Sequence, residues 1–252
     1  MRIKEIQEKI DSYKDEGSYQ PLKIEFRVRP PLYVGSPWIQ FDGIVQYLCL
    51  RDVLGEIFYD LPTFHLFDFD KMQLPIKRTE DVYHASVGIY NRPALKTSKI
   101  YKRFEEYYLQ FHPELKRKKY NISSGYYKNH MLTLPIIITG KVTFYTCANK
   151  KRLEELLPHL THLGMKTSIG GGKIRKYKIT EESTDQSFYK DGYGATRPIP
   201  SHLIPSQLID EGAVFMNMAY KPPYWDKRNV TMCLAPKNQF EEAMGNIVEG
   251  EK

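Results

Sequence analysis

The sequence predicts an α+β fold, and three observations lead to it. Apolar and charged residues alternate over 22–28 and over 173–180, as they do in half-buried strands. The segments 42–55 and 150–164 carry apolar residues at helical spacing, and each ends at a glycine. Two further β-like segments separate these helices. The order strand, helix, strand, strand, helix, strand predicts a ferredoxin-like, RRM-like βαββαβ domain.

The first half of the chain supplies two helices and a strand. Residues 1–20 predict a short polar N-terminal helix with its isoleucines on one face. The strand over 22–28 is followed by two prolines that end it. The next helix is expected to begin at Asp42, whose carboxylate can cap it, and to end at Gly55.

The remaining core elements come from three segments. Residues 82–91 predict the second strand, and 131–147, the most β-like stretch, predicts one long strand or a bent pair. The amphipathic helix over 150–164 is expected to kink at Pro158, because proline removes a helical hydrogen bond.

The chain is expected to divide into three parts. After the N-terminal helix of residues 1–20, a core domain spans 21–184 and contains a basic insertion over 95–130. Residues 185–252 are rich in proline and predict a β-rich C-terminal extension packed on the core. No stretch approaches the ~20 consecutive apolar residues of a membrane helix, and the N-terminus lacks the apolar centre of a signal peptide. A cytoplasmic protein with no membrane partner is therefore expected.

Neither a metal nor a cofactor is expected. Cys49, Cys147 and Cys233 are far apart and give no zinc spacing, which favours reduced core thiols. No histidine has a carboxylate or cysteine at a matching spacing. A nucleotide-binding P-loop is excluded, because Gly172-Lys173 is not followed by serine or threonine and leads into a strand.

The charge balance favours an anionic partner. The net charge is +7, and the chain has 19 tyrosines and 12 phenylalanines. Cations bind phosphates and aromatic faces stack on unpaired bases, so this composition is typical of nucleic-acid binding. A protein that merely happens to be basic is the alternative, and the positions of the charges decide between them.

A glycine-rich loop precedes the last core strand. The sequence SIGGGKIRKYKI begins at Ser168, and its candidate RNA contacts are Gly170, Gly171, Gly172, Lys173, Arg175 and Tyr177. A helix-to-strand turn that needs positive φ is one explanation, although one or two glycines would suffice for it. Three glycines followed by alternating cations indicate instead that main-chain N–H groups approach phosphates closely while a basic or aromatic side chain extends onto the sheet.

The insertion and the C-terminal extension add further candidates. The cations of the insertion that we expect to bind RNA are Lys99, Lys102, Arg103, Lys116, Arg117, Lys118 and Lys119. The alternative is a solvated amphipathic helix whose aromatics face the core, and both can hold. In the extension, Arg197 lies in a rigid segment and is a candidate RNA contact. Tyr224, Trp225 and Arg228 suit a subunit interface or base stacking, unless Trp225 covers a sheet edge.

Four motifs together resemble a known family. A glycine-rich loop between the second core helix and the last strand, with FDGIVQYL, TRPIPSHLI and PPYWDKRNVTMCLAP, resembles the RAMP superfamily of CRISPR-associated proteins. The closest resemblance is to the small subunit of type IV effector complexes that binds the 5′ handle of the guide, and it covers roughly residues 20–240. The loop lacks the second glycine pair that usually follows the basic residue in that family.

The resemblance implies an RNA-binding subunit without catalysis. Its expected partners are the crRNA, a backbone RAMP subunit and a large subunit, with target DNA near the flanking motif and a recruited helicase as further candidates. An alternative is a metal-independent endoribonuclease that uses His84 or His130 with Tyr83, Tyr126 or Lys128. A generic RNA-recognition protein unrelated to CRISPR is a third possibility.

Overall fold

The computed structural model describes residues 3–62, 67–105, 107, 123–125, 128–204 and 212–240. The helices are α1 Ile3–Ser12, α2 Phe41–Leu54 and α3 Lys150–Leu156. The first nine strands are β1 Gln20–Val28, β2 Leu32–Tyr33, β3 Arg78–Thr79, β4 Val82–Tyr83, β5 Ile89–Tyr90, β6 Ala94–Lys102, β7 His130–Ile138, β8 Lys141–Ala148 and β9 Ile174–Glu181. The others are β10 Tyr189–Lys190, β11 Gly194–Ala195, β12 Ile199–Pro200, β13 Phe215–Ala219 and β14 Val230–Leu234. The predicted α+β class is confirmed.

The central sheet has four antiparallel strands in the order β5-β8-β1-β9. Helix α2 lies between β1 and β5 along the chain, and α3 lies between β8 and β9. The inward face of the sheet is apolar, because every second residue of β1 from Leu22 to Val28 is buried. Phe144 of β8 packs against Phe26 and against Phe41 at the start of α2, with ring centroids 5.9 and 5.1 Å apart. These contacts hold α2 on the sheet.

A second sheet projects from the first as a long ribbon, in the order β2-β7-β6. Strands β6 and β7 pair over their full lengths, from Ala94 opposite Ile138 to Lys102 opposite His130. The segment predicted as one long strand or a bent pair is the pair, since β7 ends at Ile138 and β8 begins at Lys141. The start of the basic insertion is therefore a strand and not the amphipathic helix considered above. The β-branched residues Thr97 and Ile100 and the aromatic Tyr101 favour this extended conformation.

Two helix boundaries differ from the sequence expectation. Helix α3 ends at Leu156 instead of residue 164, because Pro158 follows in a single 3₁₀ turn, Leu157–His159. Asp42 does not cap α2. Gln40 occupies the N-cap position without a side-chain hydrogen bond, and Asp42 lies completely buried in the first turn.

The C-terminal extension contains the hairpin β10-β11 and the three-stranded sheet β12-β14-β13. Lys190 of β10 lies over the ring of Tyr145, 4.9 Å from its centroid, so the extension covers the β8 side of the outer face of the central sheet. The β1–β9 side of that face stays open. In the described part of the chain, no helix is long and apolar enough to cross a membrane.

Candidate nucleic-acid interface

Two of the three loop glycines are required by the main chain itself. The loop leads from a 3₁₀ turn, Thr167–Ile169, into β9. Gly170 and Gly172 have φ of +84° and +63°, which a residue with a Cβ rarely adopts. A Cβ on Gly172 would also lie 2.0 Å from the carbonyl oxygen of Leu163. A tight turn therefore accounts for these glycines without any ligand.

The N–H groups of all three glycines donate within the chain. Gly170 donates to the carbonyl oxygen of Thr167 at 2.9 Å, and Gly171 donates to that of Lys166 at 3.3 Å. Gly172 donates to the carbonyl oxygen of Pro31 at 2.9 Å. The sequence analysis expected these N–H groups to contact phosphates. In this conformation they are not free to do so, because each is bonded to a carbonyl oxygen of the chain. Any contact with an anion at this loop comes from the side chains that follow it.

Four cations follow the glycines, one just before β9 and three on β9 itself, the edge strand of the central sheet. These cations are Lys173, Arg175, Lys176 and Lys178. All four are exposed, and no described carboxylate lies within 4.0 Å of any of them. Several cations elsewhere in the described chain, such as Lys150, are instead paired with carboxylates. A run of unpaired cations on one strand is a surface suited to a polyanion.

Tyr177 belongs to the core instead of this surface. It lies opposite Phe26 of β1, and the two ring centroids are 6.1 Å apart in a tilted arrangement. The pairing with β1 places Tyr177 on the apolar face and leaves Lys176 and Lys178 on the other. Tyr177 was expected to contact RNA, and the structure places it half-buried against the core.

The open face of β1 extends the cationic strand. Lys176 lies opposite Arg27, and Lys178 lies opposite Glu25. Glu25 is held by Lys141 at 2.9 Å and by Lys23 at 3.6 Å. The hydrogen bond from Lys141 lowers the pKa of Glu25, so this carboxylate is ionised and already neutralised. Arg27 is exposed with no described carboxylate within 4.0 Å, and the sequence analysis missed it. The alternation of apolar and charged residues in LKIEFRVR could have indicated that Arg27 lies on the exposed face of the strand.

The glycine loop and the ribbon meet at Tyr33. A Cβ on Gly171 would lie 2.7 Å from Cδ2 of Tyr33, and the Tyr33 hydroxyl is 3.4 Å from Oγ of Ser98 on β6. Lys96 and Lys102 share a ribbon face with Ser98, since side chains alternate along a strand. Tyr33 therefore links the glycine loop, which precedes β9, to the ribbon strand that carries these cations.

The other ribbon face carries an exposed aromatic between basic residues. Tyr101 is 56% exposed, and the Arg103 guanidinium carbon lies 5.6 Å from its ring centroid. Lys99 lies two residues before Tyr101, on the same face, and is exposed. This arrangement suits a base stacked on the ring with its phosphates beside the cations. Lys116, Arg117, Lys118, Lys119 and Tyr126 lie outside the described residues, and their roles stay predictions.

The comparisons with known proteins identify the family of the chain. The family described as CRISPR type IV associated protein Csf3 matches residues 20–236, which is most of the chain. The chain belongs to the Csf3 family. The resemblance to a type IV CRISPR-associated protein is confirmed. No curated protein matches the chain. The Csf3 match includes the central sheet, the ribbon, the glycine loop and β14, whereas α1 lies outside it.

Arg197 lies in the interior of the Csf3 region and not on its surface. Its side chain has no exposed area. The guanidinium donates to the carbonyl oxygens of Tyr83, Ala85 and Tyr220, and it lies 3.4 Å from the Asp42 carboxylate. A buried guanidinium with these acceptors contacts no RNA in this conformation. Arg197 was expected to bind RNA, and the structure corrects this: it joins α2 to the extension.

Tyr224 belongs to the same buried network. Its hydroxyl lies 2.6 and 2.8 Å from the two oxygens of Asp42, to which it donates. Burial raises the pKa of Asp42, although Arg197 opposes this, and burial with the adjacent carboxylate raises the pKa of Tyr224. Arg228 is tied to Asp226 at 2.6 Å. Of the three residues expected at an interface, only Trp225, which is 63% exposed, presents an unengaged side chain.

The residues considered for RNA cleavage are dispersed or engaged. His84 has both ring nitrogens in hydrogen bonds, Nδ1 with Asp185 at 2.5 Å and Nε2 with Thr79 at 2.7 Å. Tyr83 is buried, which raises its pKa to about 12. His130 lies at the exposed end of β7, away from these groups in the ribbon register. In the described residues, no three His, Cys, Asp or Glu side chains form a metal-ligating group.

Proposed function

We propose that the chain is a non-catalytic RNA-binding subunit of a type IV CRISPR effector complex, and that it grips the 5′ handle of the crRNA. One observation carries the proposal: unpaired cations gather on β9 and the adjacent face of β1, in a chain of the Csf3 family. These are Arg27, Lys173, Arg175, Lys176 and Lys178. In this proposal they neutralise consecutive phosphates of the handle, and Lys96, Lys99, Lys102 and Arg103 continue the track along the ribbon.

Base recognition requires aromatic surfaces beside the phosphate track. Among the aromatic residues considered for RNA binding, Tyr101 and Trp225 are exposed, whereas Tyr177 and Tyr224 are partly buried. Each stacked base contributes roughly 1–3 kcal/mol, so one or two such contacts would favour a defined handle over other RNA. In this proposal the ribbon acts as a thumb that holds splayed nucleotides.

The proposed fold assignment is a ferredoxin-like RAMP core formed by the central sheet with α2 and α3. The strand order β5-β8-β1-β9 and a helix in each of the two crossover connections support it. As a subunit of such a complex, the chain would contact the backbone RAMP subunit and the large subunit. Target DNA near the flanking motif and a recruited helicase are further proposed partners.

Competition between guides tests this function. The complex is assembled from the full chain, the other subunits of its own locus and a labelled crRNA. It is then challenged with unlabelled guides of equal length whose handle is intact or scrambled. We expect the guide with the intact handle to displace the labelled crRNA at a concentration at least tenfold lower than the guide with the scrambled handle. Equal competition would show a clamp on any RNA and would end the handle assignment.

An RNA cleavage assay in EDTA tests the absence of catalysis. The purified chain is incubated with repeat RNA from its own locus, with a His130→Ala variant as a control for a metal-independent nuclease. We expect the RNA to remain intact with both proteins. A defined cut by the wild-type chain that His130→Ala abolishes would establish the endoribonuclease instead.

A further inference from the structure

Strand β13 leaves one edge of the C-terminal sheet open. In the order β12-β14-β13, no described strand pairs with the outer side of β13. Ala235 donates to the carbonyl oxygen of Val214 at 2.8 Å, and Tyr220 donates to that of Asn229 at 3.2 Å. Hydrogen-bonded pairs alternate in an antiparallel ladder, so the even-numbered residues of β13 turn their main-chain groups toward β14. The N–H and C=O groups of the odd-numbered residues, Phe215, Asn217 and Ala219, therefore point to the open edge.

This edge has none of the features that usually protect one. The sequence AVFMNMAY, residues 213–220, contains no charge and no proline, whereas exposed edges are commonly blunted by lysine, proline or a bulge. Strand β9, the open edge of the central sheet, carries three cations. The apolar side chains of the β13–β14 pair are exposed by 40–57%: Val214, Phe215, Met216, Val230 and Met232. An unprotected apolar edge of this kind is a surface suited to pairing with another strand.

A cavity lies against the same strand. It has a volume of about 520 Å³ and is lined by Val214 and Met216 of this segment together with Trp38, Tyr193 and Ala195. The Tyr193 hydroxyl is buried and has no hydrogen-bond partner among the described residues. A strand added beside β13 would direct alternate side chains toward this cavity, where one apolar or aromatic side chain could be buried.

We propose that β13 is a docking edge for an extended, uncharged apolar segment of another protein subunit, which adds to the C-terminal sheet as a strand. The proposal rests on the proposed function only in taking the chain as a member of a multisubunit complex. RNA does not fit the edge, because the segment 213–220 has no cation to neutralise phosphates. A peptide main chain matches the outward donors and acceptors, and an uncharged strand matches the apolar side chains.

A proline at position 217 tests the main-chain part of the proposal. Asn217→Pro removes an N–H group that points to the open edge and leaves the β14 ladder intact, because that ladder uses Met216 and Met218. Asn217→Ala is the matched control, since it removes the same side chain and keeps the N–H group. Each full-length variant is co-expressed with the other subunits of its locus and the guide RNA. The amount of each subunit retained, the affinity for RNA and the melting temperature are then measured.

We expect Asn217→Pro to reduce the retention of one protein subunit at least tenfold, while Asn217→Ala retains it. The RNA affinity and melting temperature of the two variants should agree. Normal assembly of Asn217→Pro would overturn the proposal, as would a loss confined to RNA. If no variant binds the guide but Asn217→Pro still loses a subunit, the RNA-binding function fails and the docking edge stands.

Photo-cross-linking gives an answer even if the proline variant does not fold. A benzophenone amino acid replaces Phe215, whose exposed ring lies on the proposed contact, and the complex is irradiated. We expect a cross-link to an uncharged β-prone segment of a different subunit. A cross-link to RNA, to a second copy of this chain or to no subunit of the complex would overturn the assignment.

Discussion

Removing the unpaired cations of β9 should weaken RNA binding in a salt-dependent way. The perturbation is a fourfold alanine variant at positions 173, 175, 176 and 178. The four side chains are exposed, and no described carboxylate lies within 4.0 Å of them, so their removal breaks no ion pair in the described chain. We expect the free energy of unfolding to change by less than about 0.5 kcal/mol, as is usual for surface substitutions.

The size of the effect follows from counterion release. Each phosphate contact with single-stranded RNA contributes about 0.7 to the slope of log affinity against log salt. If all four cations bind phosphates, the slope becomes shallower by about 2.8. The affinity ratio between wild type and variant should then fall about 50-fold between 50 and 200 mM salt.

The assay is fluorescence anisotropy of labelled repeat RNA, titrated with the full chain at several salt concentrations. The control variant must lose the same four positive charges from positions that are already paired. Such a set is Lys71, Arg78, Lys150 and Arg228, each bound to a carboxylate. We expect this control to keep a slope close to that of the wild type.

Two results would refute the reasoning. An unchanged slope for the β9 variant would mean that its cations are a solvated surface. An equal change for both variants would mean that the RNA responds to net charge and not to this strand.

Three further predictions concern stability. Gly172→Ala should lower the free energy of unfolding by more than about 2 kcal/mol, measured in urea, because of its positive φ and the contact with the Leu163 carbonyl. Arg197→Met should cost about 3–5 kcal/mol in the same assay, since it leaves Asp42 buried without its cation; a loss below 1 kcal/mol would contradict the network. Burial alone would raise the pKa of Asp185, yet hydrogen bonds, chiefly from His84, lower it overall. The stability that this carboxylate contributes is therefore present above its usual pKa of about 3.9 and is lost as the pH falls through the lower folded value. Asp185→Asn should be less stable than wild type at pH 7, and the difference should vanish in acid.

The sequence was sufficient where local pattern decides the structure. Alternation predicted β1 and β9, and helical spacing predicted α2. The sequence analysis failed where contacts between distant segments determine the structure. Asp42 lies at the start of a helix, where a capping residue is expected. Its carboxylate instead contacts Arg197 and Tyr224, which are 155 and 182 residues away in the sequence. Tyr177 faces the core because it pairs with Phe26 of β1, and the sequence of β9 does not show which strand it pairs with.

The two open sheet edges show why total charge could not locate the functional surfaces. The net charge of +7 includes cations such as Arg197 and Lys150 that are bound within the protein and have no part in the proposed RNA surface. The informative quantity is the number of cations without a carboxylate partner on one strand, which is three on β9 and none on β13. A strand edge with unpaired cations repels a second strand of the same kind and favours a polyanion. An uncharged edge offers its main chain to a peptide. On this physical basis the same chain can bind a guide RNA at one edge and a protein neighbour at another without competition between them.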